Sequence, residues 1–380
     1  MNPSMLIAML VRSLLLAAAS VACAVQAQVA AIPGLPPSAG ERPAVRPAVM
    51  LLILPAQSTA FARQAEAVRQ GFMAARAAGG DDVVVEVVEV GAGAQTLSGA
   101  MAAAGERGAA VIVGPLPRSE VSEVIEGGAT TVPLVALNFP ENDGIAPASM
   151  LALGLSLEAE AQRMARVALA EFVAARGTDT RPRIVIIARA GTLERRIAQA
   201  FQSALRAEGE VPRLVEWAPD SARAVAKELG AMPLEAVFLA LTARDAAQVR
   251  ALIPRGAQVF GTSLLNAGDP RMSPDAATLA HDLEGVRFVD MPWLLEPDHS
   301  GVMVYPQPAE TYTIELARLY AFGIDAYRIA IAWMKGDRRF ELDGVTGRLL
   351  VDRAHSLRVE RVPLVATYRD GQLRRVDVAR

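Results

Sequence analysis

Side chains able to do chemistry are sparse in this 380-residue chain. His281, His299 and His355 stand apart in loop-like stretches, without the spacing of a metal site. Lys227 and Lys335 are the only lysines, and neither follows a phosphate-cradling glycine loop. Gly91-Ala92-Gly93-Ala94-Gln95-Thr96 lacks the third glycine of a dinucleotide fingerprint, and no Gly-x-Ser-x-Gly elbow exposes a nucleophilic serine. The sole cysteine, Cys23, lies in the N-terminal apolar run, so the chain beyond it has no disulfide, zinc-cysteine site or thiol nucleophile. The expectation is a protein that is not an enzyme and uses no metal or cofactor.

What remains is hydrogen-bonding chemistry. Ligands of parallel sheets bind just past the carboxyl ends of the strands. Ser58, Gly114, Asn138 and Thr192 fall there, and Trp293 follows a later strand, so these five are the candidate cleft residues. Each polar one serves equally well to close its own loop or cap a helix, and Gly114-Pro115 reads as turn chemistry. Trp293 either walls a cleft or plugs a gap between layers. Asp282, Asp290, Glu296 and Asp298 form either an acidic patch or scattered solvated carboxylates.

The elements that must position these residues alternate in period from Ala48 onward. Val49–Pro55 is a continuous apolar run, as in a parallel strand covered on both faces. Phe61, Ala65, Val68 and Phe72 form a helical stripe that stops at Gly79-Gly80. Strands follow at 83–90, 110–113 and 133–137, with helices at 97–107 and from an N-cap at Ser119. After turn-rich 141–150, Ser156 caps a helix to about Ala175. Strands 183–188, 214–217, 236–241 and 258–261 then alternate with helices 192–207, 222–229 and 244–253. Val286–Met291 is a strand ended by Pro292. A helix near 311–320 breaks at Phe322-Gly323 and restarts on an Asp325 cap, and 344–369 ends the chain in antiparallel strands.

The fold class that this order implies is α/β, with parallel sheets flanked by helices in two lobes joined by three crossings. Lobe 1 is expected at 48–150 plus 262–335, and lobe 2 at 151–261 plus 336–380. Ahead of them, 28–47 is a Pro/Gly-rich spacer, and 1–27 reads as a signal peptide ending in the small-x-small site Val25-Gln26-Ala27. Ser20-Val21-Ala22-Cys23 partly resembles a lipoprotein signal. Two outcomes therefore stand open, lipidation of Cys23 and cleavage after Ala27, and they decide between a tethered and a free periplasmic protein. The charge balance of 38 basic and 41 acidic residues, without a basic stripe among aromatics, speaks against nucleic acid as a partner.

The order of elements resembles the type I periplasmic-binding-protein fold of leucine-binding-type receptors. A closer resemblance is to the penicillin-binding protein activator (Lpo-type) family. It is carried by Ile112-Val113-Gly114-Pro115-Leu116, Val135-Ala136-Leu137-Asn138, Gly285–Phe288 with Asp290–Leu295, Arg318–Arg328 and Gly344–Leu349. Larger members have an N-terminal helical-repeat domain, for which 28–47 leaves no room. The resemblance implies a regulator of peptidoglycan synthesis that docks onto a class A penicillin-binding protein. The alternative is a periplasmic solute receptor of an ABC transporter, with a small ligand in the inter-lobe cleft. Pro115, Leu116, Pro117 and Phe139 supply few hydroxyls for an amino-acid site.

Overall fold

The computed structural model describes residues 47–377, apart from 92, 129, 143–145, 177–181, 232, 270 and 309–311. The expected signal peptide, the spacer up to residue 46 and Cys23 lie outside the described residues.

Strand β1 (Ala48–Pro55) pairs in parallel with β2 (Val83–Val90) over eight residues and with β3 (Val111–Val113) on its other side. With β4 (Leu134–Ala136) and β5 (Met150–Ala152), the first sheet runs β2-β1-β3-β4-β5. The run Met50–Leu54 is buried on both faces, whereas β2 sits at the edge, where it carries a half-buried Glu86 and an exposed Glu89.

The second sheet is built from β6 (Ile184–Ala188), β7 (Arg213–Glu216), β8 (Ala236–Ala240), β9 (Gln258–Gly261) and β10 (Arg287–Asp290). The third sheet holds β11 (Arg339–Gly344), β12 (Gly347–Asp352) and β13 (Glu360–Val362). The last strands, β14 (Leu364–Arg369) and β15 (Gln372–Val376), return to the second sheet, whose order is β15-β14-β10-β9-β8-β6-β7. In the Thr192–Ala207 helix, Ile197, Phe201 and Leu205 face the core, and Phe201 stacks on Phe238 at 3.9 Å between ring centroids.

Three expectations need correction. The stretch 262–335 does not belong wholly to the first half: β10 pairs in parallel with β9 and antiparallel with β14, inside the second sheet. A four-residue strand carries no sheet address in its own pattern, and its partner β14 lies some seventy positions downstream. Conversely, β11–β13 do not join the second half: Val345, Leu349, Val351 and Val359 pack into the core beneath the first sheet. The break at Phe322-Gly323 is also absent, since one helix runs unbroken from Ile314 to Met334 with Thr313 as its cap. Gly323 is there because the Ala62–Gly79 helix presses on it: a Cβ would stand 2.1 Å from the Val68 carbonyl oxygen. Gly71 reciprocates, a Cβ there meeting the Tyr320 carbonyl oxygen at 1.8 Å.

Two smaller departures follow the same logic. Phe61 stands at the N-cap position, ahead of the helix, without a capping bond and 48% exposed, so the buried stripe begins at Ala65. The helix Arg118–Glu126 starts behind Pro117, with no cap from Ser119.

Candidate functional site

Ser58, Gly114 and Asn138 follow β1, β3 and β4, which are neighbours in the first sheet, so the fold lines them along one carboxyl edge. Ser58 is exposed there. Gly114 is buried, with φ of +115°, and follows β3 into a cis bond with Pro115. A Cβ on Gly114 would stand 2.1 Å from the Ile53 carbonyl oxygen, so glycine is required by close approach. Asn138 spends its amide locally: Nδ2 donates to the Leu116 carbonyl at 3.1 Å, and Oδ1 accepts from the Phe139 amide at 3.0 Å. The bond to Leu116 ties the loop after β4 to the loop after β3. Thr192 is exposed at the first position of its helix, past β6 in the second sheet.

Trp293 lies elsewhere. It is 4% exposed within the first core, its ring 5.3 Å from Tyr320 and its amide donating to the Val345 carbonyl at 2.9 Å. Pro292 opens the short helix Pro292–Leu295, which carries the chain from β10 back to the first half.

The most concentrated polar chemistry joins the two halves. Asp290, at the end of β10, is 1% exposed and accepts from four donors: Arg318 Nε and Nη2 at 3.2 and 2.7 Å, Asn266 Nδ2 at 2.8 Å and the Met291 amide at 2.9 Å. Burial works against the charge on Arg318, but Asp290, with Glu160 and Glu315 beyond it, outweighs that and holds the guanidinium pKa above its usual value. Arg318 Nη2 also donates to the Ser263 carbonyl at 2.9 Å, while the Ser263 amide donates to Glu160 at 3.0 Å. Glu160 in turn receives Arg361 at 2.6 Å, and Arg361 donates to the Thr346 carbonyl at 3.0 Å. The chain of contacts ends at fully buried Asp325, which accepts from the Val345 amide and from the amide and hydroxyl of Thr346.

Sequence reasoning left Asp290 as part of an acidic patch or as one of several scattered solvated carboxylates, whereas it is buried, and did not single out Glu160, Arg318 or Arg361 as a network. Glu160 and Arg361 are 201 positions apart, and no local pattern pairs them. Asp325 had been expected as a helix cap; it lies in mid-helix and serves the β11–β12 turn instead.

Residues 44–371 match the family described as "LppC putative lipoprotein". Among curated relatives, the penicillin-binding protein activator LpoA of Photobacterium profundum is 23% identical over 77% of this chain, which spans 51% of that relative's length. Among solved structures, one described as "a putative branched-chain amino acid ABC transporter" of Chromobacterium violaceum is 31% identical, with a TM-score of 0.70 over 84% of this chain and 99% of that one. The LpoA C-domain of Haemophilus influenzae, described as a regulator of PBP1A, is 20% identical, with a TM-score of 0.68 over 87% of this chain and 100% of that domain. With two helix-flanked sheets of the leucine-binding type and a family match across nearly all of its described residues, the chain belongs to the LppC lipoprotein family.

Proposed function

We propose that the chain is a non-enzymatic regulator in the periplasm, held at the outer membrane if Cys23 is acylated, that promotes peptidoglycan synthesis by docking onto a class A penicillin-binding protein. Kinship with a protein named as a penicillin-binding protein activator supports this reading. The structural observation that carries it is the buried bolting of the two halves through Asp290–Arg318 and Glu160–Arg361, with 2–12% exposure of the paired side chains. A protein that closes around a solute needs its halves to move, whereas one that docks benefits from a fixed surface. The test is co-purification with a class A penicillin-binding protein at a few tenths molar salt, together with the polymerisation rate of that synthase with and without the chain. Retention and a faster rate are expected; loss of both sinks the proposal.

A second reading, a solute receptor, is favoured by the 31% identity to the Chromobacterium protein. A receptor gains about 2.7 kcal/mol of stability at a hundredfold excess of ligand over its dissociation constant. A thermal-shift screen of amino acids and short peptides in which none raises the transition would remove it.

A further inference from the structure

A cavity of about 640 Å³, lined by none of the five candidate cleft residues, lies between the Leu157–Arg176 helix, the third sheet and the end of β15. Its lining holds Arg163 and Arg166 from the helix, Arg348 from β12 and Glu360 from β13. Among the described residues neither Arg163 nor Arg166 has a hydrogen-bond or ion-pair partner, and Arg163 Nε is buried without an acceptor. Arg348 pairs with Glu341 at 3.1 Å. Of the other lining carboxylates, Glu296 and Asp377 are both engaged by Arg375, at 2.8 and 3.2 Å, and Asp343 stands beside Gly301. The lining thus balances four arginines against four carboxylates, and the two arginines on the helix wall are the ones without a bonded acceptor, with Glu360 the carboxylate that acts on Arg163. Burial and then the like charges of Arg166 and Arg348 push the Arg163 pKa down, against Glu360.

A half-buried guanidinium without an acceptor is costly, and its planar fork matches a carboxylate or phosphate bidentately. We propose that this cavity is a binding site for a small anion, a carboxylate or a phosphate group, held by Arg163 and Arg166. The site is distinct from the carboxyl edge of the first sheet, and it does not depend on the docking function.

The test is calorimetric titration of the purified full chain, with no partner present. The probes are inorganic phosphate, N-acetyl-alanyl-alanine with a free carboxylate, and the same dipeptide as its amide. Saturable binding of phosphate, of the free-acid dipeptide or of both is expected, with none for the amide, and the anion that binds more tightly identifies the source. Arg166→Gln, at an exposed position, weakens binding by at least about tenfold, and Arg163→Gln does the same if it folds. Glu360→Gln tightens binding severalfold by removing the opposing charge. No saturable binding of either anion up to about 10 mM, or binding that Arg166→Gln leaves unchanged, overturns the proposal.

Discussion

Arg318 grips Asp290 with both branches of its guanidinium, Nε at 3.2 Å and Nη2 at 2.7 Å, from a helix packed on the first sheet to a strand of the second. The carboxylate has no lone pair to spare, since Asn266 and the Met291 amide take up the rest. Truncating one partner leaves the other buried and unpaired. Asp290→Ala is expected to lower stability by about 3–5 kcal/mol in urea unfolding at neutral pH. A loss below about 1 kcal/mol, the range of exposed pairs, would show that the contact holds nothing.

Gly71 and Gly323 let two helices touch backbone to backbone. Gly323→Ala places a methyl 2.1 Å from the Val68 carbonyl oxygen and 2.9 Å from the Phe72 nitrogen, so the helices must part. The expected cost is about 1–3 kcal/mol or more, even though alanine is the better helix former by about 1 kcal/mol. A thermal transition unchanged or raised in the variant would contradict the close contact.

Trp293 fills the first core against Tyr320. Trp293→Ala is expected to cost about 3–5 kcal/mol through the space left behind. Binding to the proposed synthase partner, measured well below the variant's transition, should stay within a factor of about two, because a 4%-exposed ring offers a partner almost nothing. Intact stability with lost binding would assign the residue to the interface.

Burial raises the hydroxyl pKa of Tyr320, Tyr327 and Tyr368 from 10.0 to about 12, with Tyr312, Asp81 and Asp290 respectively adding to it. The unfolded chain ionises these groups near 10, so the stability they confer is complete below that pH and drains away as pH climbs toward 12. Burial also raises the Tyr305 hydroxyl pKa, so absorbance titration of the folded protein should show at least three late tyrosines, and Tyr368→Phe should remove one. Ionisation of all tyrosines near 10 before unfolding would refute the burial effect.

Sequence periodicity locates most strands and helices because each has to bury its own stripe: 83–90 and 192–207 fall where their apolar spacing puts them. What it misses are relations between distant segments. Arg287–Asp290 reads as a strand but not as a strand of a given sheet. Gly323 reads as a breaker because helix propensity cannot register a neighbouring helix that forbids a Cβ. Nothing in the local pattern singles out Glu160, Arg318 or Arg361, since neither a helix nor a strand pattern says which polar residue will face a second domain half. Asn138 is the instructive case among the candidate cleft residues: its type and place at a strand end were legible, and its commitment to the Leu116 carbonyl was not.

The second sheet borrows its strands from three separate stretches, 184–261, 287–290 and 364–376, with the return to the first half threaded between the last two. A consequence lies in the order of arrival. While the chain is emerging, β10 exposes one side of Phe288 and Val289 as an open edge until β14 arrives to pair with it. The β14–β15 hairpin is thus the piece that finishes the sheet, and before it docks the nascent protein carries an adhesive margin that invites wrong partners. A polypeptide of this layout is most vulnerable in the interval between the emergence of β10 and that of β14, and cleavage near Pro363 would return it to that vulnerable state.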